Sequence, residues 1–155
     1  MKDIAPDTAG ELQARALRYL ARREHSRAEL ARKLAPSAQS PEALEQLLDA
    51  LAAKKQLSDE RYAEARAHQL ARKYGAARIR HDLRSKGVDE AIAEKASAGG
   101  ELERARAILA RKYRMPVTSR LERARRMRFL ASRGFSHTTI RSLLSSDADH
   151  EALIP

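Results

Sequence analysis

The chain has 155 residues, no cysteine, and 31 lysines and arginines against 21 acidic residues, which gives a net charge of +10. The lack of cysteine excludes disulfides and thiolate zinc sites, and no stretch approaches the ~18 uncharged apolar residues that a membrane-spanning helix needs. We therefore expect a soluble cytoplasmic protein that forms one ordinary domain or a few very small ones.

The positive charge is concentrated in one part of the chain. Residues 101–134 hold 11 basic and 3 acidic residues, a net charge of +8 (11 − 3). Residues 1–100 have a net charge of +4 (19 − 15), and the segment from Phe135 onward has −2 (1 − 3). Because residues 101–134 contain too few carboxylates to pair their arginines, we expect this segment to meet a polyanion or an acidic protein surface.

Three helices are predicted in a first unit, residues 11–57. The first runs from Glu11 to Arg23, with apolar residues on one stripe. Ser26, with Glu29 three residues later, has the pattern of a capping box and predicts the start of the second helix. Ser40 and Pro41 predict the third start, because serine caps helices well and proline suits the first helical position.

A second unit, residues 58–100, repeats this plan. Ser58 is predicted to cap its first helix, which Gly75 ends. Gly87 suits the left-handed position after the second helix, where the lack of a Cβ removes a steric penalty. Asp89 is predicted to cap a short third helix.

The third unit, residues 101–146, differs in the connection between its first two helices. Met115 and Pro116 interrupt the first helix, since proline has no amide hydrogen and crowds the preceding turn. Ser119 and Glu122 predict another capping box. Gly134 is predicted to stop the second helix, and a last amphipathic helix follows.

An internal repeat connects these units. The sequence Leu-Ala-Arg-Lys-Tyr occurs at residues 70–74 and again at 109–113, 39 positions later, and no segment alternates as a strand would. Units of ~40 residues are too small to fold alone. The predicted fold is therefore all-α: three tandem three-helix repeats in an elongated, curved array with a right-to-left sense. Residues 1–10 and 147–155 are predicted to be disordered tails.

Catalysis has little support in the sequence. The five histidines are dispersed, lack metal-ligand spacing and are expected on the surface, and no glycine-rich phosphate loop is present. The aromatic residues are expected mainly in the core; Tyr74 and Tyr113, beside Arg-Lys pairs, are the two that could present a hydroxyl at a binding surface. We expect a binding protein with no catalytic residue, metal or cofactor.

Several segments resemble one family. Residues 57–63 (LSDERYA), 72–79 (RKYGAARI) and 83–88 (LRSKGV) strongly resemble the middle repeat of the bacterial RecX regulatory proteins. Residues 26–34 are similar to the first repeat of that family, and residues 126–135 to the third. The specificity lies in the ordered combination, because each piece taken alone is a generic helix.

The resemblance implies a monomeric regulator that lies in the helical groove of the RecA recombinase filament and inhibits strand exchange, ATP hydrolysis and co-protease activity. Direct contact with single- or double-stranded DNA is expected to be weak and non-specific, and no membrane is involved. The candidate filament- and DNA-binding residues are basic residues of the second and third units: Arg72, Lys73, Arg78, Arg84, Lys86, Arg111, Lys112, Arg123, Arg126 and Arg133.

Two other functions remain open at this point. A stand-alone, basic nucleic-acid-binding helical module would bind naked DNA with an affinity that falls steeply with salt, and it would show no preference for recombinase filaments. An inert helical scaffold would bind neither DNA nor filament.

Overall fold

The computed structural model describes the backbone of residues 4–151 and the side chains of residues 4–145. This part of the chain contains nine α-helices, one short 3-10 turn and no strand, which confirms the all-α prediction. The elements in chain order are α1 (Ala9–Arg22), α2 (Arg27–Leu34), the 3-10 turn (Ala35–Ser37), α3 (Pro41–Ala53), α4 (Asp59–Leu70), α5 (Ala76–Ser85), α6 (Glu90–Ser97), α7 (Glu101–Lys112), α8 (Arg120–Ser132) and α9 (His137–Glu151).

The helices form three consecutive groups, α1–α3, α4–α6 and α7–α9, and helices pack most extensively within their own group. Each group buries its own apolar core. Fully buried members include Leu30 and Leu48 in the first core, Ile79 and Leu83 in the second, and Leu130 in the third. The prediction of three tandem three-helix repeats is confirmed. The curvature and sense of the array stay a prediction.

The predicted helix boundaries follow from local chemistry. Ser40 and Ser58 accept hydrogen bonds from amides three residues later, at 3.1 and 3.2 Å, and so cap α3 and α4. Asp89 caps α6 by accepting from the amide two residues later, at 3.3 Å. Gly87 and Gly134 adopt φ values of 81° and 86°, the left-handed conformation that glycine reaches without strain.

The first helix begins earlier than predicted. Thr8 and Glu11 form a complete capping box, so α1 starts at Ala9. Asp7 accepts a 2.8 Å hydrogen bond from Arg15, and its amide donates to the carbonyl of Ser37 at 2.8 Å. The prediction of a disordered tail is therefore wrong for residues 7–10.

The last helix also extends further than predicted. Helix α9 continues to Glu151, and the disordered tail expected for residues 147–155 stays a prediction. The remaining parts of the two predicted tails, residues 1–3 and 152–155, lie outside the described residues. Within residues 4–151, no helix combines the length and apolarity that crossing a bilayer requires.

The two other predicted capping boxes form only in half. Ser26 accepts from the amide of Glu29 at 3.1 Å, but the carboxylate of Glu29 turns to the guanidinium of Arg23. Ser119 accepts from the amide of Glu122 at 3.1 Å, while the Glu122 carboxylate bonds to the preceding residue and to an arginine. In both cases an arginine, Arg23 or Arg126, binds the carboxylate that would complete the box.

Candidate functional site

The joints between units share one hydrogen-bonding pattern. The Ser26 hydroxyl, before α2, donates to the carbonyl of Lys86, just before the glycine that ends α5, at 2.7 Å. In the next joint the Gly75 amide, before α5, donates to the carbonyl of Arg133, just before the glycine that ends α8, at 2.8 Å. The end of α5 therefore lies against the start of α2, and the end of α8 lies against the start of α5.

A carboxylate completes each joint. Asp59, the first residue of α4, accepts from the amide of Arg27 at 2.8 Å, and Glu101, the first residue of α7, accepts from the amide of Ala76 at 3.2 Å. Both donors are first residues of second helices, where amides lack an intrahelical partner and the helix dipole favours negative charge. Asp59 thus connects the second unit to the first, and Glu101 connects the third unit to the second.

Glycine is required where the helix ends approach each other. A Cβ added to Gly134 would lie 2.5 Å from the Cβ of Arg78, and one added to Gly87 would lie equally close to Ala28. Since no real side chains pack at that separation, both joints depend on glycine for their geometry as well as for its left-handed φ.

The second joint brings a set of cations onto aromatic rings. The guanidinium of Arg78 lies 4.7 Å from the ring centroid of Tyr74, and that of Arg133 lies 5.7 Å from the same centroid. Arg133 also lies 5.3 Å from the Phe129 centroid, over which the Lys112 ammonium sits at 4.2 Å. Such contacts are attractive because the ring face carries negative charge.

We name this surface the junction cluster; its members are Tyr74, Arg78, Arg111, Lys112, Phe129 and Arg133. Arg111 belongs to it because its guanidinium reaches across the joint and donates to the carbonyl of Arg72 at 2.6 Å. The cluster therefore combines the end of α7, the end of α8, the connection between α4 and α5, and the first turn of α5. Lys73 lies exposed in that connection.

The charges of the junction cluster are not neutralised. Among the described residues, none of its four cations forms an ion pair with a carboxylate. The other joint differs, because Arg23 pairs with Glu29 there and Arg61 pairs with Glu24 at 2.9 Å. Positive potential is thus available at the second joint and largely cancelled at the first.

The aromatic rings position these cations and leave little ring face for nucleic-acid bases. Tyr74 has two guanidinium groups near its ring, and Phe129 has the Lys112 ammonium, Arg133 and the edge of Tyr113 around it. A base that stacked on either ring would have to displace a cation. The cluster therefore suits phosphate or carboxylate groups, which arginine binds through two parallel hydrogen bonds.

Six of the ten candidate binding residues lie outside this cluster. Two of them, Arg72 and Lys73, are exposed in the connection between α4 and α5, and the other four lie elsewhere. Arg84 pairs with Glu90 at 3.1 Å, and Lys86 is half-buried at the first joint, where its carbonyl accepts from Ser26. Arg123 is half-buried, and its Nε atom is buried without a hydrogen-bond partner among the described residues. The fourth, Arg126, needs a correction.

Arg126 is in the interior and not on the predicted binding face. Its side chain is 5% exposed, pairs with Glu122 at 2.6 Å and donates to the carbonyl of Met115 at 2.7 Å. Its guanidinium lies 4.6 Å from the Tyr113 ring centroid. The apolar stem fills space in the third unit while the charge is matched internally, so Arg126 is not available to an outside anion.

The role of the aromatic rings was not predicted from the sequence. Phe129 packs against the core of the third unit, as the sequence pattern predicts, and both its ring and the ring of Tyr74 also contact cations. A usable signal was present only for Phe129, because it precedes Arg133 by four residues at the end of α8, whereas Tyr74 lies before the helix that carries Arg78. That spacing is about one helical turn and brings side chains together on one face.

His25 is a further correction, because this histidine is 1% exposed and not on the surface. Its Nε2 lies 3.0 Å from the Lys33 ammonium, which can only donate, so Nε2 accepts and Nδ1 donates to the carbonyl of Arg23 at 3.0 Å. Burial lowers the pKa of His25 and favours this neutral form. Among the described residues, no three His, Cys, Asp or Glu side chains are grouped as a metal site would require.

Comparison with known proteins places this architecture in one family. Family models match all three units: the first three-helix domain of RecX over residues 14–51, the second over 58–96 and the third over 100–144. The regulatory protein RecX of Herbaspirillum seropedicae is 51% identical over 133 residues, covering 84% of this chain and 86% of the relative. That of Leptothrix cholodnii is 50% identical over 143 residues, covering 90% of each.

A solved structure has the same fold. The crystal structure of RecX from Lactobacillus salivarius superposes with a TM-score of 0.79 at 22% sequence identity, and the match covers 90% of this chain and 96% of that one. The three matched domains and the high identity over most of the chain are decisive. The chain belongs to the RecX family of regulatory proteins, a family without enzymatic activity.

Proposed function

We propose that this protein binds the RecA recombinase filament on DNA and inhibits its ATP hydrolysis, strand exchange and co-protease activity. Family membership supports the identity of the partner. The observation that supports the location of the contact is the junction cluster, whose four unpaired cations lie at the second joint. The proposed setting is the cytoplasm, with the protein acting as a monomer that lies in the filament groove.

The geometry of the cluster favours a charged, sequence-independent contact. Its cations are held by rings and by a backbone carbonyl, so less conformational freedom is lost on binding than with free arginine side chains. Phosphates of the bound DNA and carboxylates of the recombinase are both suitable anions. Direct contact with DNA, single- or double-stranded, would then be weak and insensitive to base sequence.

The size of the array is compatible with a contact that extends along a filament. Helix α7 alone has 12 residues and is therefore ~18 Å long at ~1.5 Å per residue. Three units joined in series present a surface several times that length. Charge would increase the rate of encounter, and persistence would require additional apolar contacts.

The proposal is tested by reversing two cluster charges. We expect Arg111→Glu with Lys112→Glu to weaken binding to RecA–DNA filaments strongly, by ~100-fold if each reversal costs ~1.4 kcal/mol. Inhibition of recombinase ATP hydrolysis should decrease in parallel, and helicity should remain near that of the unchanged protein. The melting temperature should fall only slightly, because the lost bond from Arg111 to the Arg72 carbonyl and the lost contact of Lys112 with Phe129 are made by exposed side chains.

A matched control is available on α1. Arg18→Glu with Arg22→Glu makes the same change in net charge at two exposed positions of the first unit. Equal effects of the two double variants on filament binding would show that only net charge matters and would remove the basis for placing the contact at the second joint.

One alternative has its own supporting observation. Residues 111–128 contain 8 basic residues and 1 acidic residue, a net charge of +7 (8 − 1), which would attract any polyphosphate. A stand-alone nucleic-acid-binding module would bind naked DNA as tightly as the filament. Pull-down against recombinase filaments and against the same DNA without recombinase, at one salt concentration, separates the two functions.

A further inference from the structure

The connection between α7 and α8 exposes aliphatic side chains in the most basic part of the chain. Met115, in this connection, is 73% exposed, and Leu121, in the first turn of α8, is 67% exposed. The equivalent connection of the second unit, residues 71–75, contains no large aliphatic residue. The third unit therefore has a local apolar feature that the repeat plan does not require.

The backbone of this connection is anchored at the exposed methionine itself and again two residues after it. The buried Arg126 donates to the Met115 carbonyl at 2.7 Å while its ion pair with Glu122 holds the guanidinium in place. Two residues further on, Val117 is 9% exposed and belongs to the apolar core of the third unit. The fold thus holds the Met115 side chain outward in solvent.

Exposed arginines accompany these aliphatic side chains. Arg114 and Arg120 lie next to Met115 and Leu121 in sequence, both are exposed, and among the described residues neither pairs with a carboxylate. We name Arg114, Met115, Arg120 and Leu121 the loop wedge. A partner must offer negative charge and, within reach of it, a place for aliphatic side chains.

We propose that the loop wedge inserts Met115 and Leu121 between base pairs of duplex DNA while Arg114 and Arg120 bind the flanking phosphates. Proteins that bind the minor groove use aliphatic wedges in this way, because partial unstacking of one base step bends the duplex and allows more contact with the protein. The proposal deepens the proposed function and rests on its premise that the third unit meets DNA. It assigns an apolar contact to that meeting, in addition to the charges of the junction cluster.

The test measures base unstacking and affinity on naked duplex DNA. Duplexes containing 2-aminopurine are titrated with the unchanged protein, with the Met115→Ser/Leu121→Ser variant, and with Ile4→Ser as a control. Ile4 is 89% exposed but lies far from the basic segment in sequence. We expect the unchanged protein and the Ile4 control to raise 2-aminopurine fluorescence, which reports unstacking, and the double variant to raise it little.

The double variant is also expected to bind the duplex about tenfold more weakly, which corresponds to a loss of about 1.4 kcal/mol. The slope of log affinity against log salt should stay the same, because the phosphate contacts are intact. Circular dichroism melting checks that all variants fold alike.

Two results would overturn the wedge. One is an absence of fluorescence change with the unchanged protein. The other is a double variant that keeps its duplex affinity but loses filament binding, since the aliphatic side chains would then contact the recombinase. Failure of the proposed function looks different: charge reversal in the junction cluster would leave filament binding intact, whatever happens to the 2-aminopurine signal.

Discussion

Glu101 connects three helices at the second joint, and its replacement by alanine is expected to destabilise the protein. Its carboxylate accepts from the Ala76 amide at 3.2 Å, the Ser136 amide at 3.1 Å, the Ser136 hydroxyl at 2.9 Å and the Thr139 hydroxyl at 2.6 Å. Burial acts to raise the pKa of Glu101, but these hydrogen bonds outweigh it, so the pKa lies below its usual value. The ionised form is therefore the one that the joint stabilises.

The expected loss of folding stability follows from the number of helix N-termini whose amides donate to Glu101. Helix α5 has Gly75 at its N-cap, without a side-chain acceptor, and Glu101 accepts from its first amide. Helix α9 has Thr139 where a capping box would have glutamate, and Glu101 takes over that role for the Ser136 amide. Since the loss of one cap costs about 1 kcal/mol, Glu101→Ala should cost about 2 kcal/mol.

Urea denaturation followed by circular dichroism at pH 7 measures this cost. The expected loss corresponds to a decrease of ~4–8 °C in melting temperature for a chain of this size. Glu103→Ala is the matched control, because Glu103 lies exposed on the same helix and should change stability by no more than ~0.5 kcal/mol. If the two variants were equally stable, the carboxylate of Glu101 would not hold the joint together.

Two further predictions concern the pH dependence of the stability that Glu29 contributes and the replacement of Gly134. The pKa of Glu29 is lowered from its usual 4.5 to about 2, chiefly by the hydrogen bond from Arg23, so its stabilising effect is full above pH 4.5 and is lost as the pH falls towards 2. Glu29→Gln should therefore lower the urea midpoint at pH 7 and approach the unchanged protein in acid; an undiminished difference at pH 2.5 would contradict this. Gly134→Ala should be more destabilising than Gly99→Ala in thermal melts, because both have positive φ but only Gly134 has Arg78 within 4 Å of the added methyl group. We expect ~1–2 kcal/mol of backbone strain in both and ~1–3 kcal/mol more at Gly134, so equal melting temperatures would show that the joint can open to admit a side chain.

Local chemistry made most of the fold predictable. Helix starts at Ser40 and Ser58, and left-handed ends at Gly87 and Gly134, follow from interactions within a few residues of each position. The early start of α1 was predictable in the same way, because Thr8 and the glutamate three residues later carry the capping-box pattern. The predicted start at Glu11 follows the apolar stripe, which begins at Leu12, and the cap lies before that stripe.

Contacts between residues that are distant in the chain could not be predicted from the sequence. The spacing of four residues between Glu122 and Arg126 indicates an ion pair on one helix face, but the burial of Arg126 depends on the Tyr113 ring and on a carbonyl 11 positions earlier. His25 is similar, because its polar partners were not identifiable before the packing of α1 and α2 was known. Net charge indicated which segment would be positive. Which cations of that segment lack a carboxylate partner depends on how the three units pack against each other.

The separate cores of the three units have a mechanical consequence. Each joint is closed by a few hydrogen bonds, such as those of Gly75 and Glu101, and the apolar cores formed by the described side chains are separate on its two sides. Changing the angle at a joint therefore exposes little apolar surface, whereas deforming a unit would expose its core. The molecule behaves as three stiff segments in series, and a small rotation at either joint displaces the ends of the array much further than its middle.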